Sequence, residues 1–323
     1  MQKPLTCVEI CAGAGGQALG LAMAGFVHVA LVEYETDYCN TLNQNRPEWN
    51  VICTDVREFD GKPYKGGGVP CPPFSIAGKQ LGKDDERDLF PEALRLIKEM
   101  EPRAIMLENV RGFLDRGFTE YRQYILKSIE KLGYDTQIKL LNASDFGVPQ
   151  LRPRVVIVGI RKEENKYFMY PEGNPQMAPT VGNALYDLMA ENKWKGAKKW
   201  AQNANKIAPT LVGGSKKHGG PDLGPVRARN AWAELGVDGR GVANMAPEPD
   251  FEGMPRLTSR MLARIQGFPD TWTFGKKKTA ACRMIGNAFP PPVAKAVGEK
   301  IKECLENECT DCERTISLSR KIV

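Results

Sequence analysis

Residues 5 to 26, LTCVEICAGAGGQALGLAMAGF, constrain the fold more than any other stretch. LTCVEI (5 to 10) is short and β-prone, it stops at AGAGG, and QALGLAMAGF (17 to 26) then sets Ala18, Leu19, Ala22, Met23 and Phe26 at helical spacing. The alternation repeats. VHVALVE (27 to 33) predicts a strand ending on Glu33, YETDYCNTLNQN a helix stopped at Pro47, and NVICTDV (50 to 56) a strand carrying Asp55. ALRLIKEM (93 to 100) reads as a helix, AIMLE (104 to 108) as a strand and YRQYILKSIEKLG (121 to 133) as another helix. Repeated β-α units imply an α/β fold with a mostly parallel sheet covered on both faces. Ligands of such sheets bind beyond the carboxyl ends of the strands, which singles out Gly13, Glu33, Asp55, Cys71 and Glu108.

From 134 the pattern changes. YDTQIKLL and VVIVGIR flank SDFGVPQLRPR, which predicts a hairpin-like pair of strands at the sheet edge. Residues 183 to 255 differ again: nine glycines fall between 213 and 253 and helical periodicity is poor, so a small, loop-rich second domain is expected there. Residues 1–182 then form the main domain, and 256–323 a compact return ending in the amphipathic PPPVAKAVGEKIKECLE. The whole chain carries only +6, but 193 to 229 hold nine Lys or Arg against one acid, Asp222, a local excess of +8. Trp194, Trp200 and Trp232 lie within or beside that stretch, and basic residues interleaved with aromatics and glycines suit a nucleic-acid surface. A solvated basic face beside ordinary core tryptophans is the competing reading. No signal peptide or membrane span is apparent, so a soluble intracellular chain is expected. The nine cysteines are odd in number and dispersed, and read as reduced thiols. Cys304, Cys309 and Cys312 lack a fourth ligand, so no metal site is expected.

Gly13, Gly15 and Ala18 satisfy GxGxxG/A between a strand and a helix, and Glu33 stands at the end of the next strand. This suits a nucleotide-like cofactor whose ribose is held by a carboxylate, without choosing between a dinucleotide and S-adenosylmethionine. In GVPCPPFS (68 to 75) three prolines bias the loop around Cys71 toward extended conformations, and a nucleophile gains from being held still. A packed cysteine is the ordinary alternative. Glu108 ends an apolar strand, where burial should raise its pKa and leave it able to donate to a ring nitrogen. Arg152 and Arg154 in QLRPR alternate along an extended chain, so both should point the same way, toward a carboxylate, a base carbonyl or a phosphate.

AGAGG (12 to 16), GVPCPPFS, ENV (108 to 110), GVPQLRPR (147 to 154), RIQGFPD (264 to 270) and GNAFPPPVA (286 to 294) together resemble, in order, the motifs of C5-cytosine DNA methyltransferases of the bacterial restriction-modification type. The resemblance runs from about Thr6 to Gly298, omitting 183 to 255. It implies a Rossmann-like S-adenosylmethionine-dependent sheet, a small target-recognition domain, and a C-terminal segment folding back beside the glycine motif. Carried over residue by residue, it makes Cys71 the nucleophile on C6 of a flipped cytosine. Glu108 becomes the contact to N3 and the amino group, and Arg154 the contact to the base that steadies Glu108, with Arg152 assisting. Ala12, Gly13, Gly15, Glu33, Asp55, Pro70, Leu89 and Asn287 become the cofactor contacts, and Phe74 to Asp88 a closing loop with Ser75 and Lys79 on the phosphate backbone. Gln150, Lys216, Lys217, Arg227 and Arg229 complete the expected contacts to double-stranded DNA. A cytoplasmic monomer, associated with the nucleoid through DNA, is implied, and a separately acting cognate restriction endonuclease is compatible with it. The chain departs from the family at Cys11, where an aromatic is usual, and at Pro72, where Gln is common. A C5-cytosine RNA methyltransferase is the alternative, with an NAD-dependent oxidoreductase further behind because it leaves the thiol without use.

Overall fold

A computed structural model describes residues 4–65, 89–164, 166–213 and 220–306. Cys71, Pro70, Ser75, Lys79, Lys216 and Lys217 therefore lie outside the described residues, as do the expected closing loop, Cys309 and Cys312.

Strands β1 (Thr6–Ile10), β2 (Val27–Glu33) and β3 (Val51–Cys53) pair in parallel, in that order. Helices α1 (Gly16–Met23) and α2 (Thr36–Asn45) make the crossovers. α1 stops three residues before the expected Phe26, because Gly25 takes φ 91° and turns the chain out of the helix. The second sheet has the order β4 (Ala104–Val110), β6 (Pro153–Arg161), β5 (Tyr134–Asn142), and both of its pairings are antiparallel. The expectation of a mostly parallel arrangement thus holds for only one of the two sheets. The connection 143–152 is too short for a crossover, so β6 must run back against β5. It then inserts beside β4, leaving β5 alone at the edge.

The two sheets share the same apolar layers. Val8, Ile10, Ala30 and Val32 pack with Ile105, Leu107, Val155 and Ile157 under α3 (Phe90–Met100) and α4 (Thr119–Lys131). α3 turns Phe90, Ala93, Leu96, Ile97 and Met100 inward, the spacing of one helical face. Each such fully buried Leu or Ile contributes about 1.5–3 kcal/mol of transfer free energy. On the opposite face Cys7, Met106, Val156 and Val158 meet α10 (Pro291–Glu306), so the end of the described chain lies beside its beginning. The contact between α1 and α10 is too close for side chains: a Cβ on Gly20 would sit 2.4 Å from the Pro291 carbonyl and 2.5 Å from Ala294 Cβ.

A third core joins α5 (Val181–Met189), α6 (Ala197–Asn203), α7 (Val226–Ala233), α8 (Ser259–Ile265) and α9 (Lys278–Asn287) to Ala12 of the glycine turn, Leu19 of α1, Leu31 of β2 and Leu42 of α2. The boundary expected at 183 falls inside α5, whose start is capped by the Thr180 hydroxyl accepting from the Asn183 amide. Trp194, Trp200 and Trp232 are all buried in this core, and the indoles of Trp194 and Trp200 donate to the Phe251 and Gly236 carbonyls. They are packing residues, so the reading that interleaved them with the basic residues as a nucleic-acid surface is corrected. Among the described residues no helix is long and apolar enough to cross a membrane.

Candidate active site

The glycine turn at the end of β1 holds Cys11, Gly13 and Gly15 at φ 53°, 56° and 83°. At Gly15 conformation and space agree, since a Cβ there would lie 2.7 Å from Leu42 Cδ2 and 2.9 Å from Trp272 Cζ2. Cys11 adopts the left-handed region without glycine's freedom, and burial pushes its thiol up, away from nucleophilic use at neutral pH. The Ala12 amide donates to the Val32 carbonyl at 3.0 Å, which fixes the turn against β2.

Glu33 closes the turn from the side. Its Oε2 accepts from the Gly13 amide at 2.8 Å, and its Oε1 accepts from the Tyr34 and Glu35 amides at 3.0 and 2.9 Å. Burial nevertheless raises its pKa against those three donors. Behind it, Cys39 Sγ donates to the Glu33 carbonyl at 3.2 Å. Asp55, half-buried just beyond β3, accepts from the Arg57 amide at 2.9 Å. Leu89 precedes α3, half-buried against the core below it. Asn287 ends α9 with its Oδ1 2.2 Å from where a Cβ of Gly213 would lie, so those two segments touch. Ala12, Gly13, Gly15, Glu33 and Asp55 are thus gathered at the carboxyl ends of β1 to β3.

Glu108 stands near the end of β4, and Arg154, near the start of antiparallel β6, lies beside it: Arg154 Nε is 2.7 Å from Glu108 Oε1. Glu108 is 5% exposed, and burial raises its pKa although Arg154 and Arg152 oppose the rise. Burial thus shifts this acid toward its protonated form, in which it can present a proton to a basic ring nitrogen.

Arg152 and Gln150 are turned inward and have no exposed surface. Arg152 Nη1 donates to the Leu211 carbonyl at 3.0 Å, and Nη2 donates to the Gly286 and Ala288 carbonyls at 2.7 and 3.1 Å. Gln150 Nε2 donates to the Ile265 carbonyl at 3.1 Å and to Gln266 Oε1 at 2.8 Å, while its Oε1 accepts from the Leu211 amide at 2.8 Å. Gln266 Nε2 in turn donates to the Ala288 carbonyl at 2.5 Å. In this arrangement Gln150 presents no atom to a duplex. Arg227 is exposed on α7 and Arg229 half-buried.

Sequence reasoning gave no role to Gln266, although it lies within RIQGFPD, nor to the pair formed by Glu9 and His28. That pair is wholly buried with Glu9 Oε2 3.8 Å from His28 Nε2. Polar residues inside otherwise apolar strands were the available signal for Glu9 and His28.

The model of the C-5 cytosine-specific DNA methylase family matches residues 5–303. The chain is 57% identical over 311 residues to the Type II methyltransferase M.NgoMIV of Neisseria gonorrhoeae, covering 94% of this chain and 99% of that protein. It is 54% identical over 325 residues to the Type II methyltransferase M.NaeI of Lentzea aerocolonigenes, covering 97% and 78% respectively. The fold is similar to that of a putative DNA modification methyltransferase encoded within an E. coli prophage, with a TM-score of 0.69 at 21% identity over 94% of this chain and all of the other. It is similar also to DNMT2 of Spodoptera frugiperda, with a TM-score of 0.64 at 16% identity over 94% of this chain and all of the other.

Proposed function

The chain belongs to the C-5 cytosine-specific DNA methylase family and is a DNA (cytosine-5)-methyltransferase, and from that premise we propose that it modifies a defined double-stranded DNA sequence through a covalent Cys71 adduct with a flipped cytosine. The observation that carries this reading is the buried Glu108–Arg154 pair, 2.7 Å apart, at the end of the strand next to the thiol-bearing segment in sequence. A duplex base cannot be reached in place, so it is taken out of the stack. Protonated Glu108 donates to N3 and accepts from the exocyclic amino group, which lowers the cost of adding a nucleophile to the ring. The Cys71 thiolate forms a bond to C6, and the electron pair moves to C5. C5 takes the methyl group, whose bond to the donor sulfonium would break to release a neutral thioether; the C5 proton leaves to a base, and elimination breaks the S–C6 bond and returns the thiolate. Arg154 holds Glu108 in place and reaches the base.

S-adenosylmethionine supplies the methyl group. The residues of this chain suit it: the turn holds Gly13 and Gly15 in the left-handed region with no room for a side chain at Gly15, and Glu33 at the end of β2 offers a carboxylate that keeps acceptor capacity for a hydroxyl beyond its three amide donors. Ala12, Asp55, Pro70, Leu89 and Asn287 complete the set we assign to the cofactor. Region 183–255 is read as the target-recognition part, with Arg227, Arg229, Lys216 and Lys217 on the duplex and Ser75 and Lys79 on its phosphates. The protein acts as a monomer in this reading. The two relatives are named Type II methyltransferases, so a separate endonuclease of matching specificity is the partner to seek.

Bisulfite sequencing of DNA from cells expressing the protein tests the reading and reports the target sequence with it. Cys71→Ser is expected to abolish transfer while duplex binding survives, and DNA carrying 5-fluorocytosine is expected to trap a cofactor-dependent adduct. An active Cys71→Ser enzyme would sink the mechanism, and methylation of RNA in place of DNA would move the substrate.

A further inference from the structure

Two residues that the sequence offers to base and duplex, Gln150 and Arg152, are committed instead to backbone from three distant segments. The carbonyls of Leu211, Ile265, Gly286 and Ala288 all receive their side-chain donors, directly or through Gln266. The segments so joined have no slack between them. A Cβ on Gly286 would fall 2.4 Å from the Gly213 amide nitrogen, and one on Gly213 would strike Asn287. The chain around Gln150 is further tied to the same stretch by two main-chain bonds, the Ala208 amide to the Pro149 carbonyl at 3.0 Å and the Leu151 amide to the Ala208 carbonyl at 2.8 Å.

We infer that Gln150, Arg152 and Gln266 form an interior lock that registers residues 208–213, which lead into the recognition region, and residues 286–288, which carry Asn287, against the strand bearing Arg154. This rests on the proposed methyl transfer and deepens it. The three are positioning residues: they touch neither base nor cofactor and act through Arg154, two residues further on, and through Asn287. The guanidinium gives the Leu211, Gly286 and Ala288 carbonyls their donors, which an apolar side chain would leave unsatisfied in the interior. The guanidinium has a second consequence. It lies near enough to Glu108 and Arg154 for its charge to be felt by both, and so it holds the proton affinity of the acid below what burial alone would set. Displacing the lock would misplace Arg154 and Asn287 together, and a misplacement of about 1 Å at a reacting centre costs on the order of 100-fold in rate.

The test uses the full chain, tritiated S-adenosylmethionine and a duplex bearing the site found by bisulfite sequencing. Single-turnover rate against pH, cofactor Kd, duplex Kd and Tm are measured for wild type, Gln266→Met, Arg152→Lys and Arg152→Met. Gln266→Met is expected to lose about tenfold in rate and, through Asn287, to weaken the cofactor by about threefold or more, with the duplex Kd within about threefold of wild type. Arg152→Met should lose more and carry the alkaline limb of its pH profile upward, because removing a cation raises the pKa of a neighbouring acid. Arg152→Lys, which keeps the charge, should recover part of the rate and leave that limb in place. The lock is overturned by a wild-type rate in Gln266→Met or Arg152→Lys. It is overturned equally if Arg152→Met loses rate only in proportion to its folded fraction with the limb unmoved. Should Arg152→Met fail to fold, the two charge-preserving variants decide, since a rate loss in both with unmoved limbs and a weakened cofactor is the required outcome. Absence of transfer by wild type would instead sink the proposed function.

Discussion

Glu33 and Glu108 end neighbouring layers of the same fold with the same exposure, 5%, and with opposite company. Glu33 is held by three backbone amides and Glu108 by an arginine. Burial raises the pKa of both. Backbone donors belong to a turn that cannot move without the strand, so they suit a group whose task is to be a fixed acceptor. A guanidinium brings charge, and so it governs how readily the acid gives up a proton. In the proposed function the cofactor end of the molecule is built to hold still and the catalytic edge to be poised, and three measurements test this difference, with a fourth outside both regions as a control.

The largest effect is expected at the catalytic edge. Glu108→Gln keeps shape and loses the titrating proton, so single-turnover methyl transfer should fall by about 10²–10⁴-fold while the cofactor Kd stays near wild type. A matching loss of cofactor affinity would erase the distinction between the two acids. Next, Gly15→Val forces a branched side chain into the left-handed region and against Leu42 and Trp272, and should cost about 1–3 kcal/mol of stability and most cofactor binding, read by thermal melts and calorimetry. Third, pH should separate the carboxylates. In the proposed mechanism Glu33 works ionised, so with its pKa raised, cofactor affinity should weaken on the acid side at a pH above the ordinary Glu value of about 4.3. In the proposed mechanism Glu108 works protonated, so with its pKa raised the transfer rate should hold beyond that value and then fall on the alkaline side. Glu33→Gln should remove the acid limb of binding and leave the alkaline limb of rate. The smallest effect belongs to neither region: Thr180→Ala removes the α5 cap and should cost about 1 kcal/mol of stability with rate per folded molecule unchanged.

The parts of this arrangement legible in the sequence are those decided locally. Strand, turn and helix from Thr6 to Met23 follow from period and glycine, and Glu33 and Glu108 are marked by being acids that end apolar strands. What was not legible depends on distant partners. The inward turn of Gln150 is set by Ile265 and Gln266, and that of Arg152 by Gly286 and Ala288. No local pattern distinguishes such a side chain from one reaching for DNA. The tryptophans near the basic stretch misled for the same reason, since Trp194 and Trp200 find their acceptors in Phe251 and Gly236. The direction of β6 was readable in part: the short connection dictates its reversal, but its place between β4 and β5 is a matter of long-range pairing.

The close seat of α1 on α10 bears on the life of the chain before it is an enzyme. The glycine helix is made among the first residues, yet Gly16 faces the Phe289 carbonyl and Gly20 the Pro291 carbonyl, groups synthesised near the end of the described chain. Contacts of such sequence separation form late, after most of the chain is available to close the loop. On the ribosome the glycine turn therefore waits, unsupported on one side, until α10 emerges. In the proposed function, a polypeptide whose α10 has not yet packed lacks a competent methyl-donor site, so DNA modification begins only once that helix is in place.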